Sequence, residues 1–142
     1  MKTVCTQSFE ATQKLGQDLV KKLTPGQIIC LSGELGTGKT TFVQGLLKGL
    51  KVKGPYTSPT FVIMKKYEPK AQSPKPKTIY HIDAYRINEK DILNLGWEEI
   101  IQDKNNIIVV EWAERIKKII PKNAQWINFS WEGKEKRKIV FK

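Results

Sequence analysis

Residues Gly33-Glu-Leu-Gly-Thr-Gly38-Lys39-Thr40 satisfy the pattern G-x-x-x-x-G-K-[S/T]. No other stretch restricts the possible folds of the chain so tightly. Glycines let successive backbone amides turn inward around phosphate oxygens, and the positive end of a following helix adds to the attraction. The pattern therefore needs a strand before it and a helix after it. Both are present. Ile28-Ile-Cys-Leu31 is a short, wholly apolar run of the kind found in a central parallel strand. From Lys39 onward, Phe42, Val43, Leu46, Leu47 and Leu50 recur on one helical face, until Lys53-Gly54-Pro55 breaks the pattern. At ordinary residue frequencies a chance match in a chain of this length is on the order of 0.5%. Lys39 is positioned to reach the outer phosphates of a nucleotide, and the Thr40 hydroxyl can ligate magnesium.

The rest of the chain alternates strands with helices. Phe9, Leu15, Leu19, Val20 and Leu23 mark an amphipathic helix closed by Thr24-Pro25-Gly26. Phe61 to Tyr67 and Thr78 to Asp83 read as strands, separated by an exposed loop from Glu68 to Lys77. Glu89 to Ile101 reads as helix with Gly96 its weak point, and Ile107 to Val110 as another buried strand. Ile127, Phe129 and Trp131, then Gly133, then Ile139 to Phe141 form an antiparallel hairpin. This order predicts one α/β domain over residues 1–142, P-loop NTPase-like, with a largely parallel central sheet, antiparallel additions and flanking helices. Its ligand site is expected at the carboxyl ends of the parallel strands.

Composition narrows the function classes. The net charge of +11 suits a polyanion such as RNA or a nucleotide, although lysine-rich composition also arises as a general bias. The only arginines are Arg86, Arg115 and Arg137, so the charge is mostly solvated lysine rather than bidentate phosphate clamps. Two cysteines, Cys5 and Cys30, make no disulfide framework and fit a reduced compartment. No apolar run approaches the ~20 residues of a bilayer span, and MKTVCTQSFE lacks the apolar stretch of a secretory signal. The expectation is a cytoplasmic protein without a membrane partner.

A phosphate loop needs a carboxylate at a neighbouring strand end to hold the metal, directly or through water. Two are available, Asp83 at the end of Thr78-Ile-Tyr-His-Ile-Asp83 and Glu111 at the end of Ile107-Ile-Val-Val-Glu111. One acid can serve the metal while the other orients the attacking water, and spacing leaves the assignment open. Ser58 and Thr60, around Pro59, stand where many such proteins place a loop that senses the outermost phosphate, though a plain turn before a strand has the same pattern. His81 is the only histidine, which argues against a histidine metal cluster or a serine–histidine triad and for a structural role. Trp112 can close over a nucleotide or simply pack. Guanine recognition usually brings an N-K-x-D loop, whereas Asn88-Glu-Lys-Asp91 has the wrong order; ATP is the expected nucleotide.

Taken together, Ser32-Gly-Glu-Leu-Gly-Thr-Gly-Lys-Thr-Thr-Phe42, Ser58-Pro-Thr-Phe61, Tyr80-His-Ile-Asp-Ala-Tyr-Arg86, Gly96 followed by acids, and Val110-Glu-Trp112 resemble the TsaE (YjeE) family of bacterial tRNA threonylcarbamoyladenosine synthesis. The P-loop is shared by very many proteins, but its combination with S-P-T, H-x-D-x-Y-R and E-W is specific, and the resemblance covers most of the chain. It raises the interest of His81, Ser58, Thr60, Tyr85, Arg86 and Trp112. It implies that Leu35, Gly36, Thr37, Gly38, Lys39, Thr40 and Thr41 bind ATP, that Thr40 and Glu111 hold Mg2+, that Asp83 is needed for hydrolysis, and that Ser58 to Thr60 form a switch. Where family members carry an arginine after the glycine of the late hairpin, this chain has Lys134.

The resemblance further implies an accessory ATPase working with TsaB and TsaD, meeting tRNA through that complex and not DNA. Two other readings compete. A small-molecule or nucleotide kinase shares the P-loop, but usually adds an acceptor domain and an arginine-rich lid. An RNA-binding module would use the charge and leave the P-loop and its two acids unexplained.

Overall fold

The computed structural model describes residues 1–56, 63–69 and 78–142. Its strands are β1 (Lys2–Thr6), β2 (Ile28–Ser32), β3 (Met64–Tyr67), β4 (Thr78–Asp83), β5 (Asn106–Glu111), β6 (Gln125–Trp131) and β7 (Arg137–Phe141). They make one sheet in the order β1-β7-β6-β2-β5-β4-β3. The centre is parallel, with β2 flanked by β5 and β6 and with β4 beyond β5; the β1–β7, β7–β6 and β4–β3 pairings are antiparallel. The anticipated hairpin is β6–β7, and its first strand also runs parallel to β2.

Strand alternation sorts the core into two layers. Ile29 and Leu31 of β2, with Ile107 and Val109 of β5, turn toward the helix α2 (Lys39–Gly49), whose Phe42, Val43, Leu46 and Leu47 fill that side. Ile28, Cys30, Ile108 and Val110 turn the other way, onto Ile92 of α3 (Glu89–Asn94), Trp97 and Ile100 of α4 (Trp97–Gln102), and Ile116. A strand buried on both faces has no polar side, which is why the β2 and β5 sequences are continuously apolar.

The first helix, α1 (Phe9–Leu19), begins at Ser8, whose hydroxyl accepts the Ala11 N–H at 3.1 Å. It crosses α2 very closely: a Cβ on Gly45 would come 1.8 Å from the Gln13 carbonyl oxygen, so only glycine fits. Gly96 interrupts the expected helix from Glu89 to Ile101, dividing it into α3 and α4. Asn88 and Asp91, whose order does not match a guanine loop, form the capping box of α3: Asn88 Oδ1 accepts the Asp91 N–H at 3.0 Å, and Asp91 Oδ2 accepts the Asn88 N–H at 3.1 Å. Of the Phe61 to Tyr67 strand, residues 61–62 lie outside the described residues, as do residues 70–77 of the Glu68 to Lys77 loop. Among the described residues, no helix is long and apolar enough to cross a membrane.

Candidate functional site

The phosphate loop leaves the carboxyl end of β2 at Ser32, whose hydroxyl donates to Asn128 Oδ1 at 2.8 Å on the adjacent strand. Thr37 is buried within the loop and its hydroxyl donates to the Glu34 carbonyl at 2.6 Å, bracing the turn from inside. Gly38 stands at φ 98°, in the left-handed region, and its carbonyl accepts the Phe42 N–H at 2.9 Å to start α2. The β6–β7 hairpin fastens the outside of the loop, where Trp131 Nε1–H donates to the Gly36 carbonyl at 3.0 Å.

Lys39, the first residue of α2, is only 4% exposed. Its ammonium donates to the carbonyls of Gly33 and Glu34, the latter at 2.9 Å, and lies 4.0 Å from the centre of the Trp112 ring. Burial pulls its pKa below the usual lysine value, and the nearby carboxylates of Glu111, Glu114 and Asp83 oppose that pull.

Alternation along β4 and β5 turns His81, Asp83 and Glu111 toward the α2 side, where the phosphate loop ends. Asp83 and Glu111 are direct partners in the β4–β5 ladder. Glu111 is buried and accepts two bonds, from the Thr40 hydroxyl to Oε1 at 2.9 Å and from His81 Nε2 to Oε2 at 2.6 Å. Asp83 is only partly buried, and its Oδ1 accepts the Tyr85 N–H at 2.9 Å. Desolvation pushes the Asp83 carboxyl above its usual pKa, helped by the Glu111 charge and opposed by the Tyr85 N–H, His81 and Lys39.

A cavity of about 760 Å3 opens over these groups. Leu35, Gly36, Gly38, Lys39, Thr40 and Thr41 line it from the loop side, and Asp83, Glu111 and Trp112 from the strand ends. Thr37 lies beneath the loop instead. Ser58 and Thr60 fall outside the described residues. Thr40 and Glu111 offer hard oxygen donors side by side, a set suited to Mg2+. Among the described residues there is no group of three or more His, Cys, Asp or Glu side chains that could hold a metal ion by itself.

Three features escaped sequence reasoning. Trp112 adopts φ 58°, a left-handed conformation that costs a non-glycine residue roughly 1–2 kcal/mol, and this bend carries its ring back over Lys39. Tyr85 packs on that ring with centroids 4.8 Å apart, and the Arg115 guanidinium lies 4.8 Å from the Tyr85 centroid. The arginines, far apart in sequence, also gather: Arg86 and Arg137 line the cavity while Arg115 sits on the aromatic pair. Arg137 comes from the late hairpin and lines the cavity, while its guanidinium donates to that hairpin's own carbonyls at Gly133, Lys134 and Lys136.

The chain is similar to known proteins. The family model described as "Threonylcarbamoyl adenosine biosynthesis protein TsaE" matches residues 6–139. A tRNA threonylcarbamoyladenosine biosynthesis protein TsaE of Aquifex aeolicus is 43% identical over 119 residues, covering 82% of this chain and 80% of the relative. The protein of the same name from Nostoc sp. is 42% identical over 110 residues, covering 75% of this chain and 65% of the relative. The chain thus spans a little under two thirds of the Nostoc protein. Among solved structures, YdiB of Bacillus subtilis superposes with a TM-score of 0.81 at 28% identity, over 99% of this chain and 83% of YdiB.

Proposed function

This chain belongs to the TsaE family of tRNA threonylcarbamoyladenosine biosynthesis proteins, and from that premise we propose that it is a Mg2+-dependent ATPase that supports formation of the modified nucleoside together with TsaB and TsaD. The observation that carries the reading is the Thr40–Glu111 hydrogen bond of 2.9 Å beneath the cavity, with Lys39 and Asp83 beside it.

In this reading the backbone amides from Leu35 to Thr41 cradle the phosphates, and the Lys39 ammonium exchanges the Gly33 and Glu34 carbonyls for phosphate oxygens. Thr40 and Glu111 hold the magnesium ion, which when bound offsets phosphate charge. Asp83, facing the cavity with a carboxyl whose affinity for protons is raised by burial, orients the attacking water and receives its proton. Trp112 and Tyr85, packed on each other and on Arg115, form one wall of the site beside Lys39. Arg86 is the internal candidate for stabilising charge on the transferring phosphate, a task that can be worth 10³ to 10⁵ in rate and is often completed by a partner. tRNA is met through the complex, and the +11 charge gives that encounter a strong salt dependence.

Phosphate release measured for the protein alone, with TsaB and TsaD, and with tRNA added, at low and physiological salt, tests this reading. Slow release alone and clear stimulation by the partners are expected. Rapid release that ignores the partners would favour a self-sufficient enzyme. Transfer of labelled phosphate to a small acceptor, visible by thin-layer chromatography, would favour the kinase reading.

A further inference from the structure

The two hydrogen bonds on Glu111 differ in what each donor can do next. Thr40 belongs to the phosphate loop, and in the proposed function its hydroxyl turns to the metal ion. His81 belongs to β4, is 1% exposed, and among the described residues has no hydrogen-bond partner besides Glu111: its Nδ1 is buried without one. An unprotonated Nε2 would set its lone pair against a carboxylate oxygen 2.6 Å away, so Nε2 carries the hydrogen and donates. Among the described residues the imidazole therefore makes a single directed bond, to Glu111. His81 pairs with Val109 in the ladder, two residues before the Asp83–Glu111 pair, so its reach to Glu111 is a diagonal contact between neighbouring strands and does not depend on the loop.

We propose that His81 is a positioning residue for Glu111: it fixes Oε2, so that Oε1 stays aimed at the cation after Thr40 lets go. This rests on the nucleotide–magnesium reading above and adds to it a residue that touches neither nucleotide nor metal. Without His81, Oε2 would lose the one donor it has among the described residues, and the carboxylate would turn to find another, taking Oε1 out of line. Bonds of this kind to metal-binding carboxylates are commonly worth 10- to 100-fold in metal affinity.

The test uses the full chain, a fluorescent ADP analogue and Mg2+. Affinity for the analogue is measured in EDTA and across a magnesium titration for wild type, His81→Leu and His81→Gln, with melting temperatures recorded for each. Glutamine places an amide N–H close to where Nε2–H stands. His81→Leu should bind the analogue in EDTA within about twofold of wild type but need roughly 10- to 100-fold more Mg2+ for half-maximal tightening. His81→Gln should restore the wild-type titration to within about threefold. Should His81→Leu fail to fold, His81→Asn replaces it, its amide being too short to reach Oε2, with the same loss expected. A wild-type magnesium response in His81→Leu, or equal weakening with and without magnesium, would overturn the positioning role and leave the ATP–magnesium reading intact. If wild type itself shows no tightening with magnesium, the underlying reading falls first.

Discussion

Asp83 and Glu111 stand across from each other at the carboxyl ends of two adjacent parallel strands, yet only Glu111 is held by side chains on both of its oxygens. Asp83 keeps one face toward the cavity and takes its hydrogen bond from its own turn, at the Tyr85 N–H. Two carboxylates at one level of one sheet therefore have different freedom, and this difference separates their expected roles.

Glu111→Gln should weaken magnesium-dependent nucleotide binding by about tenfold or more, because an amide has a single oxygen, which cannot both stay on His81 and take the place of Oε1 at the cation. Asp83→Asn should leave that binding within about threefold and slow hydrolysis by about 10²-fold or more. Calorimetric titration with and without magnesium, set beside phosphate release in the presence of the partners, checks the pair. The reverse pattern would exchange the two assignments.

Asp83→Asn should also stabilise the fold at neutral pH. The native state raises the Asp83 pKa, so it holds this proton more tightly than the unfolded chain does, whose value lies near 3.9. The native advantage is complete below the unfolded value and is lost as pH climbs through the raised one. Denaturant midpoints should thus be higher for Asp83→Asn than for wild type at pH 7 and converge toward pH 3. A variant less stable than wild type at pH 7 would contradict the desolvation argument.

Lys39→Ala should reduce hydrolysis by about 10²- to 10³-fold and weaken nucleotide binding strongly. The melting temperature should move by only a few degrees, since the lost bonds to the Gly33 and Glu34 carbonyls are offset by removal of a poorly hydrated ammonium. Activity within a few-fold of wild type would remove the P-loop assignment.

The two thiols should differ sharply in reactivity. Cys5 is exposed on the edge strand β1, whereas Cys30 is sealed in β2 and burial pushes its thiol up to about 12. A thiol-specific reagent at pH 8 should label the native chain once, and Cys5→Ser should abolish that fast label. The second label should appear only with unfolding.

Where local chemistry determined structure, the sequence was readable. The P-loop, the apolar β2 and β5, the strand ending at Asp83 and the β6–β7 hairpin each carry their own signal within a few residues. β1 does not: Lys2–Thr6 contains one strong β-former with an aliphatic side chain, Val4, and becomes a strand by pairing with β7 at the far end of the chain. The same holds within the site. Asp83 and Glu111 are visible as strand ends, but the bond from His81 to Glu111 depends on the register of two strands and on which face each residue takes. The left-handed bend at Trp112 brings its ring against Lys39 and Tyr85, both distant from it in sequence, and a bulky side chain gives no local hint of it. Arg86, Arg115 and Arg137 looked scattered because convergence belongs to the topology.

The bonds between the Lys39 ammonium and the loop's own carbonyls make the resting site a guarded one. Gly33 and Glu34 act as tethered competitors, always at hand, and any incoming anion must outbid them. A small ion such as sulfate or inorganic phosphate offers one cluster of oxygens and has little with which to recover that loss. A nucleoside triphosphate brings several contacts along the loop at once and can. If the chain binds ATP as proposed, preference for a long polyphosphate over small anions would follow from this internal competition.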